Sequence, residues 1–567
     1  MSREFSPWAL WTRYLEQVRS WRVTDFKSIG SAGLKLDGKR LSLIAGSNSS
    51  GKSSLLQSLL LLAQSVHREG AITLNGRLVR LGQAEDIIRH GQKSLTVEVE
   101  LAGNFNTAET KARFVLQPVE GQLTVYSFEL HDGDGNLWVD ATRSRLRSDD
   151  ADELRRLASS GVQVLRVRSA NGDATRRTYI LMQGLLPIAV VRHIASDKLR
   201  STYAEQFVEA MTGNQATRLR SAALQELSSL VSKRHFLEER GLEIDERLPA
   251  AIQRRWTSHD WANLPPGARA DLVLAASRQR SEVPWAFRYV DSYGASFSRS
   301  GVIETGSYGV EDGIIALLDS VYEEMWSLGN DVAYLGPLRE EPRVTQGAWD
   351  ERTKGLPVGV RGELSAEVLN RLQEERGFYH DWDGNQLFVP LLEAISKWSD
   401  YLGIGSSVSV TDHGKLGRGV QLNVGGTDRD LTAIGVGASQ LLPVVLAVLT
   451  APRGAVLCIE QPELHLHPAV QSRLADLLLF ARNDVHCVIE THSEYLLMRA
   501  RLRVAEGRVT PEMVDVLFVE QEHGVSTFEY LSVDDFGDLS RWPNGFFDTQ
   551  EIESMRLISA INEKLNK

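Results

Sequence analysis

Residues Gly46-Ser47-Asn48-Ser49-Ser50-Gly51-Lys52-Ser53 form a complete GxxxxGK[ST] pattern. In that pattern successive backbone N–H groups cradle phosphates, the lysine neutralises the β and γ phosphates of a nucleotide, and the final hydroxyl ligates Mg²⁺. The predicted nucleotide contacts are therefore Gly46, Asn48, Ser49, Ser50, Gly51, Lys52, Ser53 and Ser54, with Ser53 also on the metal. A second group of reactive side chains lies roughly 400 residues later, far more chain than one crossover needs. Glu460, Gln461 and Glu463 follow an apolar run, where Glu460 is placed to hold the Mg²⁺ water shell. His492 follows the next apolar run and could reach the γ-phosphate and the attacking water, although a lone histidine is more often structural. Gly437 and Ser439 belong to a Gly-rich turn opening a helix, a geometry that can present N–H groups to phosphate. Gln83, after Leu81-Gly82, is a further candidate toward Mg²⁺; a surface glutamine in a turn is the competing reading.

These residues need elements to hold them. Leu41-Ser42-Leu43-Ile44-Ala45 reads as a strand entering the loop, and Ser54 through Gln64, rich in Leu and Ala, reads as the helix leaving it. Such an arrangement aims a helix N-terminus at the phosphates. Ala455 through Glu460 and Asp484 through Glu490 read as buried parallel strands, which appear as continuous apolar runs and collect ligands at their carboxyl ends.

The chain of 567 residues has room for several domains, and its 42% hydrophobic and 24% charged content is ordinary for a globular protein. A net charge of -11 argues against coating nucleic acid over the whole surface, while leaving a local basic groove open. Only Cys458 and Cys487 are present, both in apolar runs, which excludes a disulfide scaffold and points to a reducing, cytoplasmic setting. No apolar run is long enough to predict a membrane span.

Four segments are predicted. Residues 1–140 hold the phosphate loop and an antiparallel β-subdomain, read from the alternation in Leu95 through Leu101 and Leu123 through Leu130. Residues 141–330 form a mainly helical insert, including Tyr203 through Met211 and Ala222 through Arg240, with no heptad run long enough for an extended coiled coil. Arg218, Arg220, Arg254, Arg255, Arg278 and Arg280 in this insert alternate with acids, which fits a solvated face better than a nucleic-acid groove. Residues 331–545 carry the Gly-rich turn, the acids and His492, and 546–567 form a C-terminal helix. Val516 through Glu520 with Asp534 and Asp535 have the acid spacing of a Toprim nuclease, but the segment is too short, and closing strands explain it better. His465 and His467 lack a third partner for a metal site.

Taken in order, the loop, the turn, the acids and His492 resemble the ABC-type ATPase heads of the SMC and OLD groups. Val23 through Ile29 looks like the first strand of those heads. The chain is also similar to bacterial AAA-family ATPases ending in WPxGFF, here Trp542-Pro543-Asn544-Gly545-Phe546-Phe547, with further similar blocks at Tyr334 through Arg339 and Val358 through Glu363. The resemblance implies an α/β fold of ABC-type head and ATP with Mg²⁺ as cofactors. It also implies a sandwich dimer or larger assembly in which Gly437 and Ser439 of one chain face the phosphate loop of another. Two positions depart from the pattern. Gln461 stands where ABC heads have a glutamate general base, so hydrolysis is expected to be slow unless Glu463 or His492 substitutes. The leading serine of the signature turn falls on Gly435. Similarity to OLD-like and Septu-type defence ATPases implies a sensing or regulatory subunit in anti-phage defence, acting with a separate effector such as a nuclease. The rivals are a DNA-repair ATPase that binds DNA directly and a nucleotide-binding scaffold without turnover.

Overall fold

A mixed sheet of sixteen strands organises the computed structural model. The structure describes residues 18–36, 38–66, 72–101, 109–146, 152–159, 161–168, 178–193, 285–289, 312–341, 343–344, 358–543 and 549–565. Strands β1 (Val18–Phe26), β2 (Ile29–Lys35) and β3 (Leu41–Gly46) precede the helix Lys52–Ser65. Next come β4 (Leu95–Leu101), β5 (Thr110–Val119), β6 (Gln122–Asp132), β7 (Leu137–Arg143), β8 (Gln163–Val167), β9 (Thr178–Gln183), β10 (Leu186–His193) and β11 (Trp285–Tyr289). The helix Asp312–Asp331 leads into β12 (Val332–Leu335). A hairpin, β13 (Arg376–His380) and β14 (Gln386–Pro390), and a small sheet of β15 (Val408–Asp412), β16 (Arg418–Val424) and β17 (Thr427–Asp430) lie outside the main sheet. The closing strands are β18 (Val456–Glu460), β19 (His486–Glu490), β20 (Val514–Glu522) and β21 (Val525–Leu531).

The sheet has two halves. Strands β12, β18, β19, β3 and β20 lie side by side and run parallel. Through β21, β2 and β1 they join the antiparallel wing, which continues from β4 to β11 in sequence order. Because the parallel strands are covered on both faces, their side chains alternate between two hydrophobic layers. Leu41, Leu43 and Ala45 enter the layer of helices Leu391–Leu402, Val436–Thr450, Pro468–Phe480 and Glu494–Ala505, while Ile44 enters the layer of Lys52–Ser65 and Asp312–Asp331. This double burial produces the continuous apolar runs seen in the sequence. The fold is thus the expected α/β arrangement, a mixed sheet with an antiparallel β-wing, and β20 and β21 are closing strands of that sheet.

Beneath the parallel half, Asp476 is fully buried and receives hydrogen bonds from Tyr401 (2.5 Å), Arg499 (2.7 Å) and Arg503 (2.7 Å). Those donors, with burial opposing them, hold its carboxyl below the usual range. The network ties three helices together, one of which, Glu494–Ala505, begins two residues after His492.

Two expectations need correction. The segment from 141 does not open as a mainly helical unit: β7 runs past residue 140, and β8 to β11 extend the wing alongside the helices Asp152–Ser159 and Asp312–Asp331. Tyr179, Ile180, Leu181 and Met182 are all buried, so β9 lacks the alternation that marks a half-exposed strand. Val23 through Ile29 is not one strand but the end of β1, a turn at Lys27-Ser28 and the start of β2. The segments Tyr203 through Met211 and Ala222 through Arg240, the six arginines of the insert, and Asn544 through Asp548 lie outside the described residues.

Candidate nucleotide site

The loop between β3 and the helix Lys52–Ser65 is shaped by contacts that only glycine tolerates. A Cβ on Gly46 would lie 2.1 Å from the Val519 carbonyl oxygen, and one on Gly51 would lie 2.3 Å from the Ser526 hydroxyl. Gly51 has φ +100° and Ser49 φ +61°, so both occupy the left-handed region. Ser47, Asn48 and Ser49 are exposed at the tip, Ser53 and Ser54 are half-buried, and Ser50 is buried with its hydroxyl unpaired. No side chain caps the helix, which leaves its first N–H groups for a ligand. Lys52 is buried, donating to the carbonyls of Gly46 (3.1 Å) and Ser47 (2.7 Å). Burial lowers its pKa, while nearby Glu490 and Glu463 act against that shift.

Glu460 and Glu490 end neighbouring strands and are register partners, with β19 lying between β18 and β3. Burial, then the Glu490 charge, pushes the Glu460 carboxyl up to about 7. Gln461 has φ +44° and donates its backbone N–H to the Glu490 carbonyl at 2.8 Å. Burial raises the pKa of the Glu490 carboxylate, and the adjacent Ser53 hydroxyl, Lys52 charge and Gln461 side chain act against that shift. One oxygen of Glu463 accepts the His492 backbone N–H at 2.6 Å; the other is buried without a partner. Burial raises the Glu463 pKa. The His492 side chain is exposed, and partial burial followed by the Lys52 charge lowers its pKa. The structure therefore brings Lys52, Ser53, Glu460, Gln461, Glu463 and His492 together.

Two predicted contacts sit elsewhere. Gln83 is exposed and N-caps the short helix Ala84–Ile87 in a reciprocal box with Asp86. Ser439 is buried, and its hydroxyl donates to the Val436 carbonyl at 2.9 Å within its own helix. Gly437 packs against the acid loop: a Cβ there would come within 2.8 Å of the His465 carbonyl oxygen. Gly435 and Val436, by contrast, are exposed at an uncapped helix N-terminus.

Four residues at the site escape a reading by motif. Tyr334 donates its hydroxyl to Glu460 Oε1 at 2.7 Å. Arg339 is buried and donates to the carbonyl oxygens of Glu460 and Gln461, each at 2.9 Å, clamping the turn that holds Gln461 at positive φ. Lys27, in the turn between β1 and β2, donates to Gln57 at 2.6 Å and feels the charge of Glu460. Glu490 is the fourth. Tyr334 and Arg339 lie in the block at 334–339, whose resemblance to a group of bacterial ATPases is their only mark in the sequence.

The donor set fits a nucleotide polyphosphate with a divalent cation. Two carboxylate oxygens, Glu463 Oε2 and Glu490 Oε2, and the Ser50 hydroxyl are buried beside the loop lysine with no hydrogen-bond partner. Unpaired buried carboxylate oxygens are costly unless a charged partner arrives.

Residues 41–499 match the sequence model of a family described as "AAA domain, putative AbiEii toxin, Type IV TA system". The chain belongs to that family. It is an AAA-type ATPase whose family match covers both halves of the site. Residues 509–557 match a second family, described as a protein of unknown function, DUF3696. No curated protein matches the chain. Among solved structures the chain is similar to an Smc head bound to the C-terminal winged-helix domain of ScpA, at 11% identity and TM-score 0.35, covering 91% of this chain and 97% of that one. A Pyrococcus furiosus Smc head with an extended coiled coil, bound to the C-terminal domain of ScpA, is similar at 13% identity and TM-score 0.34, covering 96% and 99%. The Thermotoga maritima SMC head matches at 9% identity and TM-score 0.30, covering 91% and 100%. No helix among the described residues is long and apolar enough to cross a membrane.

Proposed function

We propose that this chain binds ATP with Mg²⁺ on the phosphate loop and hydrolyses it slowly as part of a nucleotide-gated dimer or larger assembly. The observation that carries this reading is the convergence of the loop lysine and hydroxyl with two buried carboxylates at the ends of adjacent parallel strands. Lys52 would release its two loop carbonyls to meet the β and γ phosphates, and Ser53 with Glu460 would hold the cation. A bound Mg²⁺ supplies charge neutralisation of the phosphates. In hydrolysis, water bonds to the γ-phosphorus as the bond to ADP breaks, and a proton must leave that water. Gln461 cannot take it, whereas the Glu463 carboxylate and the His492 imidazole are the acceptors at hand. Gln83 would have to leave its cap to reach the cation.

The exposed helix N-terminus at Gly435 and Val436 supports contact with a nucleotide held by a second chain. Regulation of a separate effector, such as a nuclease in OLD-like or Septu-type anti-phage defence, rests on the resemblance of the motifs. A non-hydrolysing scaffold is the second reading, favoured by the Gln461 amide and by the engagement of Glu463 with the His492 backbone. Calorimetric ATP binding by the wild type and Lys52→Ala tests the site, and phosphate release tests turnover. Tight binding lost in Lys52→Ala, with an unchanged melting temperature, is expected. Equal affinity in the two proteins would overturn the assignment, and binding without phosphate release would select the scaffold.

A further inference from the structure

Strand order gives Glu490 a position that motif reading does not assign. Its strand separates β18, which ends in Glu460, from β3, which ends in the phosphate loop. Glu490 pairs in register with Glu460 on one side and with Ile44, two residues before Gly46, on the other. Its side chain is only 3% exposed. The polar side chains beside its carboxylate, Ser53 and Gln461, are both neutral.

Two features argue against a purely structural acid. Glu490 Oε2 is buried with no partner, and among the described residues no salt bridge joins Glu490 to a cationic side chain. Lys52 is close enough to influence it but places its ammonium on the Gly46 and Ser47 carbonyls. Holding Ser53 and Gln461 in place would need only a neutral acceptor. Two buried carboxylates at the ends of adjacent strands repel each other, and a divalent cation relieves that repulsion while filling the open coordination of both.

We propose that Glu490 provides a second carboxylate to the divalent cation of bound ATP, so that nucleotide and metal are coupled through Glu490 as well as Glu460. This inference rests on the nucleotide site proposed above. It has a consequence opposite in sign for the two forms of the ligand. A carboxylate beside the phosphates repels metal-free ATP and favours the metal complex. Neutralising it should leave metal-free binding unchanged or tighter and weaken the enhancement due to metal.

The test is ATP affinity of the full chain by titration calorimetry in EDTA and in MgCl₂, for the wild type, Glu490→Gln and Glu490→Asp. In Glu490→Gln the ratio of the two dissociation constants should fall about tenfold, the scale on which groups around a metal site act. Metal-free affinity should not fall. Glu490→Asp, which keeps the charge on a shorter arm, should retain part of the enhancement and serves if the glutamine variant fails to fold. The Mg²⁺ concentration giving half-maximal ATP binding should rise in both variants. Full enhancement in a folded variant, or equal weakening with and without metal, would overturn the assignment. Failure of the underlying site shows separately, as wild-type protein that binds ATP no better than Lys52→Ala.

Discussion

The hydroxyl of Tyr334 donates a 2.7 Å hydrogen bond to Oε1 of Glu460, linking the end strand β12 to the carboxylate at the tip of β18. A neighbouring strand thereby fixes the rotamer of an acid that stands beside Glu490. Tyr334→Phe keeps the ring in place and removes only this donor. It should cost about 1–3 kcal/mol of stability, because a buried carboxylate loses a partner. Turnover should fall several-fold while ATP affinity stays within about twofold, since the orientation of Glu460 changes and the loop does not. Unaltered turnover in a folded Tyr334→Phe protein would show that Glu460 needs no such support.

Gln461 is the second test. Its amide lies beside the Glu490 carboxylate, so Gln461→Glu replaces a neutral neighbour with repulsion between two carboxylates beside Glu460. The variant should melt lower in EDTA than the wild type. Adding ATP with MgCl₂ should stabilise it more than it stabilises the wild type. If the new carboxylate is well placed as a base, phosphate release should rise by roughly 10²-fold. An unchanged or lower rate would mean that Glu463, His492 or another group already accepts the proton.

Sharing of the site between chains can be tested at Gly435. A Cβ on Gly437 would strike the His465 carbonyl, whereas nothing lies within 4 Å of a Cβ on Gly435. Gly435→Glu therefore adds a negative charge at the exposed helix N-terminus with little disturbance of the fold. In a sandwich dimer it should repel the γ-phosphate held by the other subunit, and Lys52→Ala damages the opposite face. Each variant alone should be inactive. A mixture that has exchanged subunits should recover part of the phosphate release, because some dimers combine two undamaged faces. No recovery after verified exchange would count against a shared site.

The last test is one of stability against pH. Glu324, on the helix Asp312–Asp331, is 2% exposed with Oε2 unpaired, and burial with the Glu323 charge pushes its carboxyl up to about 8. Its folded value exceeds its unfolded value, so its favourable contribution is complete below pH 4 and is lost as pH rises through about 8. The loss accumulates at up to roughly 1.4 kcal/mol for each pH unit between the two values. Glu324→Gln, neutral throughout, should flatten the decline in urea midpoint from pH 5 to pH 8. Parallel curves for the two proteins would show that Glu324 ionises without penalty.

The sequence by itself determined the phosphate loop, the strand before it and the helix after it, because glycine spacing and apolar runs are local signals. It also determined that Glu460, Gln461, Glu463 and His492 follow buried strands, since covered strands leave uninterrupted apolar runs. The wing strand Thr178–Gln183 was not legible for a related reason: with four consecutive buried side chains it has no alternation to separate it from a buried helix. Gln83 followed its own local signal, an Asp three residues on, into a helix cap. Only the tertiary structure decided the roles open to Tyr334, Arg339, Lys27 and Glu490. Their partners are distant in sequence, 126 residues separating Tyr334 from Glu460 and 122 separating Arg339 from Gln461. Glu490 is visible in the sequence as the end of a strand. That it sits between the acid Glu460 and the phosphate loop depends on the strand order β18, β19, β3, which long-range pairing sets and no local pattern encodes.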